Sequence, residues 1–345
     1  MKVLIVGGNP DKGIPSSIIN NLAKEFQTRD NSVSVCNAYI PETISGYNLV
    51  LWMPDIPNDH PKNYPVKDKG SVLICSKVMR KDTTEADAVT RIFKMHGNAV
   101  ITINKRIPKV FEFKLIDALG NKWKKTSYIS QLVKSLLKFY EWTDCQKRIS
   151  FKRNSQSIPT NILQSYDIEL DQKFIDLNTL IADKVESSLG TRFFGNFSTR
   201  CMKLFPSKRV DNNIFLFSPR NVDKKRITKD DFVLIDPPYF YGDRIYSVDA
   251  PCHIEIYKRY PDINYMIHGH AFLKYNEKAS LTVPETENYY PCGDLREVKE
   301  ITKLFDRGFR VINLKNHGFL IASKDLPTIN DYIKEFAFNP PKLLK

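Results

Sequence analysis

Tyr265-Met266-Ile267-His268-Gly269-His270 ends an apolar run with two histidines spaced two residues apart. Alternation along a strand turns both imidazoles to one face, with Gly269 leaving room behind them. A second apolar run, Val311-Ile312-Asn313-Leu314-Lys315-Asn316-His317-Gly318, carries a third imidazole where the strand ends in a turn. Two neutral imidazoles on one face make half a site for zinc, which takes four ligands and keeps one position open where it is catalytic. Taken singly, an H-x-H pair and an Asn-His-Gly turn are unspecific, because both occur where nothing is bound.

Further landmarks stand around them in a set order. Gly195-Asn196-Phe197-Ser198 comes first, then Ser218-Pro219-Arg220-Asn221-Val222-Asp223 followed by Ile227-Thr228-Lys229-Asp230-Asp231-Phe232-Val233. Asp249-Ala250-Pro251-Cys252-His253, Tyr257 and Pro261-Asp262 then lead into the H-x-H pair. Together these motifs resemble the class II aldolase/adducin family. There a G-N-x-S turn and a P-S-G segment precede an acidic residue placed four before a histidine. That histidine begins a helix leading to H-x-H, and an Asn-His-Gly supplies the third ligand. Asp249 in Asp-x-Pro-x-His, and Tyr290-Pro291-Cys292, look most like the L-ribulose-5-phosphate 4-epimerase branch. The fuculose-phosphate aldolase branch usually has Glu at the position of Asp249.

The resemblance implies an α/β/α domain with Zn²⁺ at His268, His270 and His317, Mn²⁺ or another divalent transition metal being possible. It implies retro-aldol C–C cleavage of a sugar phosphate or related carbohydrate through a metal-stabilised enediolate. An aldehyde-lyase releases the aldehyde, whereas an epimerase lets it rotate and re-forms the bond. Asp249 is expected to be catalytic, as a fourth metal contact or a proton acceptor, and also suits the cap of a helix opening at Ala250-Pro251. His253 is read as anchoring that helix. Asn196, Arg220, Asn221 and Ser247 are expected to hold the substrate. The family's P-S-G is here Pro219-Arg220-Asn221 and its paired serines are Ser247-Val248, so the phosphate pocket departs from the family pattern. Arg220 compensates through bidentate hydrogen bonds or marks a different substrate. Glu285, Glu287 and Tyr332 stay open as the acid/base residue. The resemblance also implies a homo-oligomer, a tetramer.

The chain of 345 residues exceeds what one core usually serves. Strand-like and helix-like segments alternate through residues 1–145, which predicts a Rossmann-like parallel sheet covered by helices. Residues 146–172 are polar and basic and read as a linker, and 173–345 carry the metal motifs. The first strand runs into Gly7, Gly8 and Gly13, not G-x-G-x-x-G, and the second ends in Cys36-Asn37 without an acid. That is not a dinucleotide fingerprint. Asn58 to Pro65 forms a polar, proline-rich loop after a strand, where open α/β sheets place ligands.

The net charge of +13 suits a solvated basic surface, or attraction of nucleic acid or phosphorylated small molecules. Its clusters are Lys122, Lys124 and Lys125; Lys147, Arg148, Lys152 and Arg153; and Lys224, Lys225 and Arg226. Six cysteines without C-x-x-C spacing read as reduced thiols, not a zinc-finger framework. No apolar run nears the roughly 18 residues of a membrane span. The start of the chain lacks the long apolar region and small-residue cleavage site of a signal peptide, so a cytoplasmic location is the expectation. Two rival readings are a non-catalytic binding protein on the aldolase scaffold, and a nucleotide- or nucleic-acid-binding protein acting through its N-terminal half.

Overall fold

The computed structural model describes residues 1–7, 16–36, 44–53, 71–107, 110–153, 170–185, 188–189, 192–201, 214–276 and 282–339. The chain divides into two compact units, Met1–Cys145 and Gln146–Lys345. No helix among the described residues is long and apolar enough to cross a membrane.

The first unit runs β1 (Lys2–Val6), α1 (Ser16–Gln27), β2 (Ser32–Cys36), β3 (Leu49–Trp52), β4 (Val72–Val78), α2 (Glu85–Lys94), β5 (Ala99–Ile107), β6 (Val110–Asp117), β7 (Lys122–Thr126) and α3 (Ile129–Asp144). The sheet order is β2-β1-β3-β4-β5-β6-β7. The first five strands in that order are parallel, as strand–helix alternation predicts, and the last two add antiparallel. Helical spacing along α1 buries Ile18, Ile19, Leu22, Ala23 and Phe26 against the sheet. Thr84 and Asp87 close a capping box that starts α2.

The β6–β7 hairpin escapes the alternation rule because its turn is built by one carboxylate. Asp117 accepts hydrogen bonds from the backbone N–H of Leu119 and Asn121 and from Trp123 Nε1, an Asx-type turn. Two lysines of β7 are held in ion pairs, Lys122 with Glu85 at 2.9 Å and Lys125 with Glu112 at 3.4 Å. Gly8, Gly13 and the loop from Asn58 to Pro65 lie outside the described residues.

The second unit runs β8 (Lys152–Arg153), α4 (Gln172–Lys184), β9 (Ser188–Leu189), β10 (Arg192–Phe193), β11 (Asn196–Arg200), β12 (Phe215–Phe217), β13 (Val233–Asp236), β14 (Tyr239–Tyr241), α5 (Ala250–Arg259), β15 (Tyr265–Gly269), β16 (Phe272–Tyr275), α6 (Arg296–Asp306), β17 (Val311–Leu314), β18 (Gly318–Ser323), α7 (Leu326–Glu335) and β19 (Phe336–Asn339). Eight strands form one sheet in the order β17-β18-β15-β11-β12-β13-β14-β8, antiparallel except for the pairing of β14 with β8.

Strand alternation sorts the side chains into two cores. Phe197, Leu216, Leu234, Ile267, Phe319 and Ile321 face one way and pack with Phe174 and Ile181 of α4 and Ile329 and Ile333 of α7. Phe215, Phe217, Val233, Met266, Ile312 and Leu320 face the other way and pack with Ile254 and Tyr257 of α5 and Leu304 and Phe305 of α6. The unit is therefore an α/β/α sandwich, the layering that the motifs imply.

Candidate metal centre

β15 lies between β11 and β18, with His268 opposite Asn196 on one side and Leu320 on the other. β17 and β18 form a hairpin whose turn carries His317. The pairing of Gly269 with Phe319 draws that turn alongside the end of β15. The room behind the two imidazoles is filled: a Cβ at Gly269 would come within 2.5 Å of the Phe319 ring.

The three imidazoles converge, each with one ring nitrogen placed so that all three lie within 4.8 Å of one another. Their ring centroids are 4.8–5.3 Å apart. Each ring is oriented by a different neighbour. His268 Nδ1 lies 2.8 Å from the Phe319 carbonyl oxygen and donates to it, so Nε2 carries the lone pair. That Nε2 is buried and has no hydrogen-bond partner. His270, partly exposed, stacks on Phe194 at 5.0 Å. His317 Nδ1 lies 3.3 Å from Glu297 Oε1, and its Nε2 lies 3.3 Å from Cys292 Sγ.

Burial disfavours charge on these rings. It lowers His268 to about 4, with His317 adding repulsion. Burial, then His268, His317 and Lys224, hold His270 well below its ordinary value. Burial also opposes charge on His317, yet Cys292 and Glu297 beside it raise its affinity for a proton well above the usual. Burial raises Glu297 in turn, against the pull of His317. A buried imidazole nitrogen without a partner, aimed among two other imidazoles, fits a divalent transition metal.

Asp249 stands at the head of α5, but its side chain makes no capping hydrogen bond. The expected cap is corrected here: the carboxylate turns towards β11 and accepts from Asn196 Nδ2 at 2.8 Å and from Ser247 Oγ at 3.4 Å. Burial works against its charge, while His268, His317, His253 and the Gly293 N–H together lower its pKa. Gly293 reaches it through a positive φ of 75°, and a Cβ at this position would collide with the Val248 backbone. His253 joins Ser198 Oγ at 2.8 Å, and Tyr257 shares that hydroxyl. It pins α5 to β11.

Of the residues expected at the substrate, Asn196 and Ser247 gather at Asp249, and Asn196 Oδ1 is buried without a partner. Asn221 adopts a left-handed backbone and accepts from the Phe193 N–H at 3.0 Å, while Arg220 is exposed. Glu285 pairs with Lys315 at 2.6 Å and Glu287 is exposed. Tyr332 packs beside the α4/α7 core, on the sheet face opposite the α5 and α6 layer.

Three residues escaped the sequence reading. Glu297 sits in the first turn of α6, where an acid looks like an ordinary helix start. Cys292 was visible only as part of Tyr-Pro-Cys. Lys224, grouped with a solvated basic cluster, is 4% exposed. Its ammonium donates to the carbonyls of Val222 at 2.9 Å and Pro219 at 3.3 Å, and burial pushes it down to about 8. It lines a small cavity together with Asn196, Phe194, His268 and His270.

Residues 180–337 match the family model described as the class II aldolase and adducin N-terminal domain. The family implied by the motifs is the one that matches, and the match leaves the first unit outside it. An L-fuculose phosphate aldolase of Methanocaldococcus jannaschii is 35% identical over 96 residues, 24% of this chain and 50% of that protein. The chain thus spans about half the length of the curated relative it matches. Among solved structures, an L-fuculose 1-phosphate aldolase is similar at 18% identity over 48% of this chain and 84% of its own, with a TM-score of 0.36. An aldolase II superfamily protein from Pseudomonas syringae is similar at 17% identity over 49% and 76%, with a TM-score of 0.32.

Proposed function

We propose that the second unit is a metal-dependent aldehyde-lyase or 4-epimerase acting on a sugar phosphate or related carbohydrate, with His268, His270 and His317 holding zinc or a similar divalent ion. The observation that carries this reading is the convergence of three imidazoles around a buried, unpartnered His268 Nε2. Imidazole nitrogens favour zinc and its neighbours over magnesium or calcium. When bound, such an ion supplies Lewis acidity that polarises a ketone carbonyl and spreads the charge released as a C–C bond breaks.

The protein's own groups serve the other demands of a retro-aldol step. Asp249 is the carboxylate available to take the proton of a substrate hydroxyl, and three donors hold its oxygens in one orientation. Its lowered pKa keeps it ionised at neutral pH, so it acts as acceptor before donor. Glu297 fixes the tautomer and tilt of His317. Asn196 offers its free Oδ1, and Lys224 its charge, to the cavity that His268 and His270 line. In this reading Asn196 and Ser247 contact substrate, and Arg220 and Asn221 shape the turn beside it. The protein would work as a homo-oligomer, a tetramer by resemblance.

The test is elemental analysis of purified protein followed by a panel of pentulose and hexulose phosphates, scored for aldehyde release and for C4 inversion. About one zinc per chain with turnover of one substrate is the expected result. A chain free of transition metal and indifferent to chelator would refute the reading, and metal without turnover would remove the reaction class.

A further inference from the structure

Among the described residues of the second unit, three buried side-chain atoms lack a hydrogen-bond partner: His268 Nε2, Asn196 Oδ1 and Asn178 Oδ1. All three residues line one cavity, and Lys224 shares its wall. The retro-aldol reading uses His268 and Asn196 and leaves Asn178 without a task. We propose that Asn178 is a specificity-determining residue whose Oδ1 accepts a hydrogen bond from one uncharged hydroxyl of the carbohydrate substrate. The inference rests on the retro-aldol reading above and names the part of the substrate that this cavity reads.

Asn178 lies within α4 and is 2% exposed. Around the cavity its companions Ile181, Ala182, Phe197 and Ile267 are apolar. Its Nδ2 donates to the Phe174 carbonyl one turn back at 2.5 Å, which fixes the amide and makes Oδ1 the end left over. Asn196 is fixed in the same manner, because its Nδ2 is given to Asp249 at 2.8 Å. A buried acceptor costs free energy until a donor reaches it. A leucine at this position of α4 would fill the space without that cost, so the orphaned oxygen asks for a ligand.

The chemistry of the wall selects that ligand. Two amide oxygens need donors, whereas a phosphate dianion brings only acceptors. The cavity volume of about 20 Å³ holds one water-sized group, which a hydroxyl fits and a phosphate exceeds. Lys224 places two N–H groups on the Val222 and Pro219 carbonyls and has a third to give to a hydroxyl oxygen. Its charge also turns away a small cation, which two amide oxygens alone would suit. A hydroxyl that donates to Asn178 and accepts from Lys224 satisfies both groups, and the phosphate of a sugar phosphate then lies outside this cavity.

The experiment measures kcat/KM of zinc-loaded full-length protein for the ketose phosphate it turns over and for the monodeoxy analogues of that sugar, each lacking one hydroxyl. Wild type should reject one analogue by about tenfold to a hundredfold, because the missing hydroxyl leaves a buried oxygen unpaired. In Asn178→Leu and Asn178→Ala, which have no acceptor to leave unpaired, that ratio should shrink to within about threefold, for that analogue alone. Zinc content and thermal unfolding check that each variant is folded. Wild type that accepts every analogue within about threefold of the parent overturns the inference without need of a variant. It is overturned equally if the variants keep the wild-type ratios while losing activity evenly, the mark of a packing role or an internal water only; both results leave the retro-aldol reading standing. Zinc-loaded wild type that turns over no pentulose or hexulose phosphate sinks that reading, and this inference with it.

Discussion

Glu297→Gln is the sharpest probe of how the site is organised, because it removes a charge and keeps the shape. The carboxylate accepts from His317 Nδ1 at 3.3 Å, and a Gln amide oxygen can accept the same proton. What disappears is the negative charge that makes the opposite nitrogen a better donor to a metal. Outer-shell partners of this kind are worth about 10–100-fold in metal affinity. A strong charge-assisted bond runs to about 2.7–2.9 Å, and this one is longer, so the expectation sits at the low end, about tenfold or about 1.4 kcal/mol. Glu297→Ala also deprives the buried Nδ1–H of its acceptor, which moves the loss towards a hundredfold. The assay is competition for zinc against a chromophoric chelator, with thermal unfolding of the metal-free protein as a control for folding. Wild-type zinc affinity in Glu297→Gln, together with an intact fold, would refute the claim that this carboxylate tunes His317.

Three further outcomes are expected. His268→Ala should abolish stoichiometric metal and turnover together, read by elemental analysis and coupled assay; retained metal with lost turnover would contradict the assigned ligand set. Gly269→Ala forces a methyl to within 2.5 Å of the Phe319 ring and should lower stability by about 1–3 kcal/mol, measured by denaturant unfolding, with an unchanged midpoint as the contrary result. Glu85 is held below its ordinary 4.5, burial working against the ion pairs with Lys114 and Lys122. Because the folded-state pKa is depressed, that stabilisation is present above pH 4.5 and fades as pH falls through the folded value. Glu85→Gln should therefore cost at most about 1 kcal/mol at pH 7 and nothing in strong acid, and a cost independent of pH would remove the ion pairs as its cause.

Much of the fold was legible because burial leaves a period in the sequence. The apolar spacing of α1 and the near-continuous apolar runs of β1, β3 and β4 announce a covered parallel sheet. The β6–β7 hairpin was not legible, since Lys122-Trp123-Lys124-Lys125 alternates weakly and its turn depends on one aspartate collecting donors. Lys224 misled for a related reason. A lysine in a basic run reads as solvated, and nothing local reveals that two carbonyls of its own turn will take the ammonium out of water.

The metal ligands could be read from sequence because strand pairing converts two spacings into one point in space. The pairing of β15 with β18 sets Gly269 against Phe319, and the tight β17–β18 turn then has no choice but to present His317 beside His268 and His270. The rest of the site follows a different rule. Glu297 and Cys292 belong to α6 and the turn before it, which pack over the sheet and pair with no strand of the site. Their approach to His317 is set by helix-on-sheet packing, which leaves no fixed residue interval for a motif to record. Asp249 falls between the two cases. Its position four residues ahead of His253 follows from the helix that His253 ties to Ser198, but the direction of its carboxylate was decided by donors on β11 and at Gly293. Residues tied to the ligands through strand register thus declare themselves in sequence, and residues that tune those ligands through tertiary packing emerge only once the layers are in place.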